Sequence, residues 1–360
     1  MTYARARLWL GMTTVGTLVL ASSVLLFFDV PDRLLGTPEF SIAHAAAGLA
    51  AFIAAYACIH LISDVFGAVV IPRRFGRMTS PLGVVLRDLA RGIVVHSTAL
   101  WLIAVVMLLA ARALGLLGVV GFAVVLSIVL LALRPQLALL MGRVRRTSGD
   151  RGVVDSPDEG FTGGIDGVFR PAVITVPRRW SDTLEPTQLD AVLDRRRIAG
   201  QSGSFRRGRI FAITFTCAGI TVSAFLSGLE DLGTAAGIVR LSLWFTLWSF
   251  AGLLTLPTLS RRAIAAVDAA AGLSEEAKQA IASLDQLGDD EPERPALIET
   301  IFHPVPGVAA RTDTTPVRGR GLWDVARTSL FLSNGGLGLL SRAVHCNAGR
   351  PALWVYLPSA

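Results

Sequence analysis

A polytopic, mainly α-helical membrane protein with a small cytoplasmic α+β domain is the fold class this sequence predicts. Three observations predict it. The 360 residues are 52% hydrophobic and only 17% charged, with a mean hydropathy of +0.56, and a soluble domain of this size is seldom so apolar. Long stretches carry no Asp, Glu, Lys or Arg. The arginines gather in alternate connections between those stretches.

Taken in order, the uncharged windows are Leu8–Phe28, Ser41–Ser63, Gly92–Ala111, Ala113–Leu133, Ile210–Leu229 and Leu241–Ser260, each of 20 to 23 residues. About 20 apolar residues in a helix cross a hydrocarbon layer of roughly 30 Å, so six transmembrane helices are expected. The first window is too long for a signal-peptide core and no small-residue cleavage site follows it, so it reads as an anchor. The Asp29–Phe40 connection, the Arg112 turn and the Glu230–Arg240 connection hold one basic residue each, whereas Asp64–Arg91 holds Arg73, Arg74, Arg77, Arg87 and Arg91, and Arg134–Arg209 holds many more. This alternation predicts a multi-pass protein of the cell membrane, a bacterial inner membrane, with both termini and both large polar segments in the cytoplasm. The net charge of +7 then has anionic lipid headgroups as its nearest counter-charge. No aromatic residues interleave with the basic ones, so no nucleic-acid partner is expected. Cys58, Cys217 and Cys346 offer no disulfide framework and are expected as reduced thiols.

The chain therefore divides into a four-helix membrane region (1–141), a cytoplasmic segment (142–209), two further transmembrane helices (210–259) and a cytoplasmic tail (260–360). Within the first polar segment, Pro171–Val176 is a β-branched run bounded by prolines and predicts a strand. Leu184–Arg197 predicts a helix, with Leu184, Leu189, Val192 and Leu193 at helical spacing and Pro186 in its first turn. In the tail, Ser260–Gly272 continues the sixth membrane helix. A second helix is expected over Ser274–Leu287, opened by Ser274, and an acidic loop, "GDDEPERP", follows it. Arg327–Leu340 is apolar but too short and Gly-broken for a span. The closing "RAVHCNAGRPALWVYLP" reads as a final strand or docking segment that packs on the cytoplasmic domain.

A strand, then "LEPTQLDAVLDRRRIAG", two membrane helices and "SRRAIAAVD" form an order that resembles the HtpX-like and CaaX-prenyl-protease family of membrane zinc metallopeptidases. The family's first helix reads L-s-x-x-E-L-x-A-V-L-A-H-E-x-x-H and its later one S-R-x-x-E-x-x-A-D. Two histidines one helical turn apart bind zinc, the intervening Glu activates the metal-bound water, and the later Glu is the third protein ligand. Leu184, Leu189, Ala191, Val192 and Leu193 fall on the apolar positions of the first motif. Ser260, Arg261 and Asp268 match the second, and Pro306 and Arg311 match a late H-P-x-x-x-x-R motif. Glu159, Phe161 and Gly163 match loosely the segment before the family's substrate-side strand. The resemblance spans about residues 153–311. It implies a zincin-like domain built from two segments of the chain.

The same alignment puts Arg195 and Ala199 at the two His positions, Arg196 at the catalytic Glu position and Ile264 at the third-ligand position. Val305 stands at the late-motif His, with His303 two residues earlier. A guanidinium offers donors and no lone pair, so no catalytic or metal-ligating residue is assigned. Zinc, the family's cofactor, is not expected. What the resemblance implies is a pseudoprotease that binds or regulates membrane proteins, its partners being the bilayer and either membrane-protein segments or an active peptidase. Two alternatives stay open: an active zinc endopeptidase with displaced ligands such as His303 and His345, and a transporter or channel. His44, His60 and His96 lie in or beside membrane windows, where packing is the simpler reading. Asp64 reads either as the cap of the second span or as a functional intramembrane acid. Arg195, Arg196 and Arg197 read either as a solvated or lipid-facing basic cluster or as an anion or partner site. The His345–Cys346 neighbours diverge too readily for a nucleophile–base pair.

Overall fold

The computed structural model describes the whole chain except residues 37–40, 148–151, 273, 289, 292, 313–320 and 357–360. The early part of the first polar segment, the acidic loop and the connection after the first span therefore lie partly outside the described residues. Helices α1 (Tyr3–Phe27), α2 (Val30–Leu35) and α3 (Ile42–Val65) come first. A π-turn at Phe66–Val70 joins α3 to the short α4 (Ile71–Arg74), and α5 (Leu82–Ala132) and α6 (Arg134–Gly142) follow. Next come the strands β1 (Arg145–Arg146), β2 (Val153–Asp155), β3 (Gly164–Asp166) and β4 (Val173–Pro177), then α7 (Arg178–Thr183) and α8 (Pro186–Gln201). The long α9 (Ser204–Ser227) and α10 (Ala235–Ala271) lead to α11 (Glu275–Leu287), α12 (Ala296–Phe302), α13 (Val308–Thr312) and α14 (Val325–Leu332).

Among the described residues, five helices are long and apolar enough to cross a membrane: Tyr3–Phe27, Ile42–Arg74, Leu82–Ala132, Ser204–Ser227 and Ala235–Ala271. Six windows become five helices because the third and fourth share α5. Gly115 interrupts α5 with φ 56° and ψ −136°, a conformation open to glycine. A β-carbon on Gly118 would sit 2.1 Å from the Ala110 carbonyl oxygen. Residues eight apart do not meet in a straight helix, so the chain folds back there and α5 is two arms joined by a tight turn.

The predicted strand lies at Val173–Pro177 and the predicted helix at Pro186–Gln201. Glu185 and Gln188 close a capping box around the start of α8, with Pro186 at its first position, where a missing N–H costs nothing. The sixth window runs on without a break to Ala271, and Ser274 caps α11 through the Ala277 amide. The strands form one small sheet in the order β1-β2-β4-β3, parallel between β2 and β4 and antiparallel elsewhere. Three of its strands have two or three residues each, too few for an alternating pattern to show in sequence.

The tail departs most from expectation. Nearly every residue from Gly321 to Tyr356 is buried or nearly so, and none of them forms a strand: α14 passes into 3₁₀ turns at Ser333–Gly336 and Pro351–Trp354. The segment packs among the long helices in the main hydrophobic core. Gly335 abuts Leu126 and Leu130 of α5, Ser242 donates to the Leu337 carbonyl at 2.7 Å and Thr246 accepts from the Leu339 amide at 3.1 Å. His60 and His96 point at this segment too, toward the Leu339 carbonyl (3.3 Å) and Asn334 Oδ1 (3.2 Å). Asp64 is not an interfacial cap. It is fully buried, ion-paired with Arg342, and accepts from the Gly349 amide at 2.9 Å.

Several arginines expected among lipid headgroups are instead internal ties. Arg7 donates to the carbonyls of Gly67 (2.9 Å), Ala348 (2.9 Å) and His345 (3.1 Å). Arg134 donates to Val355 O at 3.0 Å and stands over the Tyr356 ring. The tail carbonyls among these belong to a backbone that has no helix or strand of its own to satisfy them.

Replacing Asp64 by Leu strands the Arg342 charge, and the expected loss is about 3–5 kcal/mol. Thermal unfolding of the detergent-solubilised protein measures it, and the double variant Asp64→Leu/Arg342→Met should recover the larger part.

Candidate functional site

Helix α8 presents Arg195 and Ala199 on one face, because residues four apart lie one turn above each other. That face meets α10 at Ile264 and Asp268, again four apart. Ala199 and Ile264 fall in one buried apolar cluster with Ile165, Phe205, Val267 and Trp323. Beside it, Arg195 Nε donates to Asp268 Oδ1 at 2.7 Å, and Arg311 Nε donates to the other carboxylate oxygen at 3.1 Å. One buried carboxylate is thus clamped between two guanidinium groups from distant parts of the chain. Arg196 turns the other way, donating to the carbonyls of Thr175 (2.7 Å) and Thr162 (2.8 Å), with its guanidinium 4.9 Å from the centre of the Trp180 ring.

Arg195 and Arg196 are 3% and 1% exposed, so they are not a solvated or lipid-facing cluster; Arg197 alone faces out, paired with Asp194. Burial pulls the Arg195 guanidinium down to about 10, with Arg311 adding to the effect and Asp268 opposing it. Burial and then Arg195 bring Arg196 to about 9. Both stay cationic at neutral pH. Among the positions matched to the family motifs, Ser260 accepts from the Ala326 amide at 3.1 Å and ties α10 to α14. Arg261 reaches Thr300 and Glu299 on α12.

Above this cluster lies a cavity of about 420 Å³, bounded by α1, α10, α14, the loop around Pro306 and the buried tail. Its polar wall carries Arg195, Arg294, Arg311, Arg327, Arg350 and Asp285, together with His303 and His345. The two histidine rings stand 4.9 Å apart between centres, although 41 residues separate them. Among the described residues no three His, Cys, Asp or Glu side chains gather in a way that could hold a metal ion. Zinc does not fit the matched positions either, since Arg195 and Arg196 carry only donors and Ala199 and Ile264 carry no polar side-chain atom. The loop before β3 is fixed by Asp158, which pairs with Arg350 (2.9 Å) and accepts from the Gly160 amide (2.8 Å). Burial would raise this carboxyl, but Arg350 and the amide outweigh it and hold it below the usual carboxylate range.

No protein-family model matches the chain, and no curated protein is significantly similar to it. The functional reading rests on geometry and on the motif resemblance alone.

Sequence reasoning missed Arg294, Arg327 and Arg350 as cavity residues, since arginines in polar loops look alike before folding. It also missed that Asp268 and Arg311, matched separately to two motifs, would bind each other.

Burial holds His303 well below the ordinary histidine value, with His345, Arg294, Arg327 and Arg261 adding to the effect. A histidine kept neutral in the fold but free to protonate when unfolded costs stability as pH falls below about 6.5. The melting temperature should therefore drop between pH 7.5 and pH 5.5, by a smaller margin in His303→Gln, as differential scanning fluorimetry in detergent would read.

Proposed function

We propose that this chain is a non-catalytic membrane protein of metallopeptidase-like build, a pseudoprotease whose role is binding rather than cleavage. The observation that carries the reading is the Arg195–Asp268–Arg311 cluster, with Ala199 and Ile264 beside it. The four positions that the HtpX-like resemblance assigns to metal binding and water activation lie on the two facing helices that such a site requires. They hold donors and hydrocarbon in place of ligands. A divalent cation brought there would meet two guanidinium charges and no imidazole or free carboxylate. The retained Asp268 and Arg311 act as structural partners, locking α8 and α13 onto α10. The role in keeping with this arrangement is to hold a membrane-protein segment, or to regulate an active peptidase, within the lipid bilayer.

A second reading has its own observation. His303 and His345 meet across the cavity, which favours an active zinc endopeptidase with displaced ligands over a transporter or channel.

Elemental analysis and a proteolysis assay separate these readings. The purified full-length protein is expected to carry well under one zinc per chain and to leave casein intact with or without chelator. Stoichiometric zinc with chelator-sensitive cleavage would overturn the proposal. If both are then lost in His303→Ala/His345→Ala, the second reading replaces it.

A further inference from the structure

The charged residues that line the cavity are matched within the protein. Arg195 and Arg311 bond the carboxylate of Asp268, and Arg350 pairs with Asp158. Arg294 pairs with Asp285 at 3.4 Å and also donates to the Val305 carbonyl. Asp285 accepts from the Glu291 amide at 3.0 Å as well, Cys346 donates to Asn347 Oδ1 at 3.3 Å, and Arg327 and His345 have partners of their own. A charged ligand would compete with these bonds, and one that displaced an ion would leave its partner buried and uncompensated.

His303 differs. It is 6% exposed and lines the cavity, yet among the described residues neither nitrogen of its ring makes a hydrogen bond. Its ring stands beside that of His345. A neutral imidazole offers one N–H donor and one lone pair, and burying such a group unbonded is unfavourable. Around it the wall is largely hydrocarbon. Met12 and Val15 of α1, Phe250 and Leu253 of α10, Leu284 of α11 and Leu330 of α14 line the same space. Two of these helices, α1 and α10, are long and apolar enough to cross a membrane. The volume of about 420 Å³ is within the roughly 300–1,000 Å³ of small-molecule sites, which are likewise mostly apolar with a few placed polar groups.

We propose that this cavity binds an uncharged aliphatic molecule with one hydroxyl group, a long-chain alcohol, whose hydroxyl bonds the His303 ring. A hydroxyl both donates and accepts, so it suits the imidazole whichever nitrogen carries the proton. A carboxylate accepts only, and it would meet guanidinium groups that are already bonded. A bare hydrocarbon would suit the wall but leave the imidazole unbonded. The apolar side chains take the aliphatic chain, where burial of hydrocarbon supplies the affinity. The inference stands on the cavity and His303, not on the pseudoprotease reading.

Three probes that differ only at the head supply the test. Full-length protein in detergent is titrated with oleyl alcohol, with oleate at pH 8 and with octadecene, then gel-filtered, and the retained probe is extracted and counted by gas chromatography. One oleyl alcohol should be retained per chain, with a Kd about tenfold below that of either other probe. His303→Leu should abolish that preference while octadecene retention stays the same. His303→Gln, which keeps a donor and an acceptor, should preserve it. Unchanged melting temperatures certify the folds, and His303→Met stands in if the Leu variant unfolds. Tighter retention of oleate, equal retention of all three probes, indifference to the loss of the imidazole, or no retention at all would overturn the proposal. Zinc-dependent casein cleavage that survives His303→Ala/His345→Ala would sink the pseudoprotease reading and leave this one standing.

Discussion

The ion pair between Asp64 and Arg342 is the constraint on which the rest of the structure depends. Both groups are fully buried among apolar helices, where an unpaired charge is very costly. Pairing fixes the tail to α3, and Gly349 then lies so close to the π-turn that a β-carbon would sit 2.3 Å from the Asp64 carbonyl oxygen. From that anchor the chain has no regular hydrogen-bond ladder, so its carbonyls are met one at a time by Arg7, Arg134, Ser242 and the Trp354 indole. Irregular backbone at such depth is tolerated only when protein groups satisfy it. The same anchored segment forms the back wall of the cavity through Val344, His345, Cys346 and Arg350, so the cavity depends on the pair as well.

The two polar centres share one principle. In each, a buried aspartate is matched by arginine brought from far along the chain: Arg342 for Asp64, Arg195 and Arg311 for Asp268. A third aspartate, Asp166, takes the Tyr356 hydroxyl at 2.6 Å and the Thr175 hydroxyl at 2.8 Å, tying the end of the tail to the sheet. Guanidinium suits this work because its several donors span a carboxylate and neighbouring carbonyls at once. The abundance of arginine against a single lysine, Lys278, has a structural use inside the protein as well as at its surface.

The long helices were legible in the sequence because hydrophobic length is a strong signal: each of the six windows falls within one of the five long helices or overruns its end by at most two residues. Gly115 hid the joining of two of them, since one glycine in an apolar run does not announce a reversal. The strand at Val173–Pro177 and helices α8 and α11 were legible from β-branched residues, proline and a serine cap. The contact of Arg195 with Asp268 joins residues 73 apart in the chain, a pairing that periodicity does not announce. The buried tail was illegible for a physical reason. Beyond α14 its residues mix Gly, Ser, Asn and Arg with aromatics and show neither helical nor strand period. What buries them is a set of partners contributed by other helices.

A segment seated in the middle of the bundle has a consequence for biogenesis. Residues 325–356 are translated after all five long helices, yet they fill the space those helices enclose. Until they are made, the long helices lack the partners that the tail supplies to His60, His96 and Asp64. The interior of the bundle is therefore completed by the part of the chain that is made last, after the final long helix.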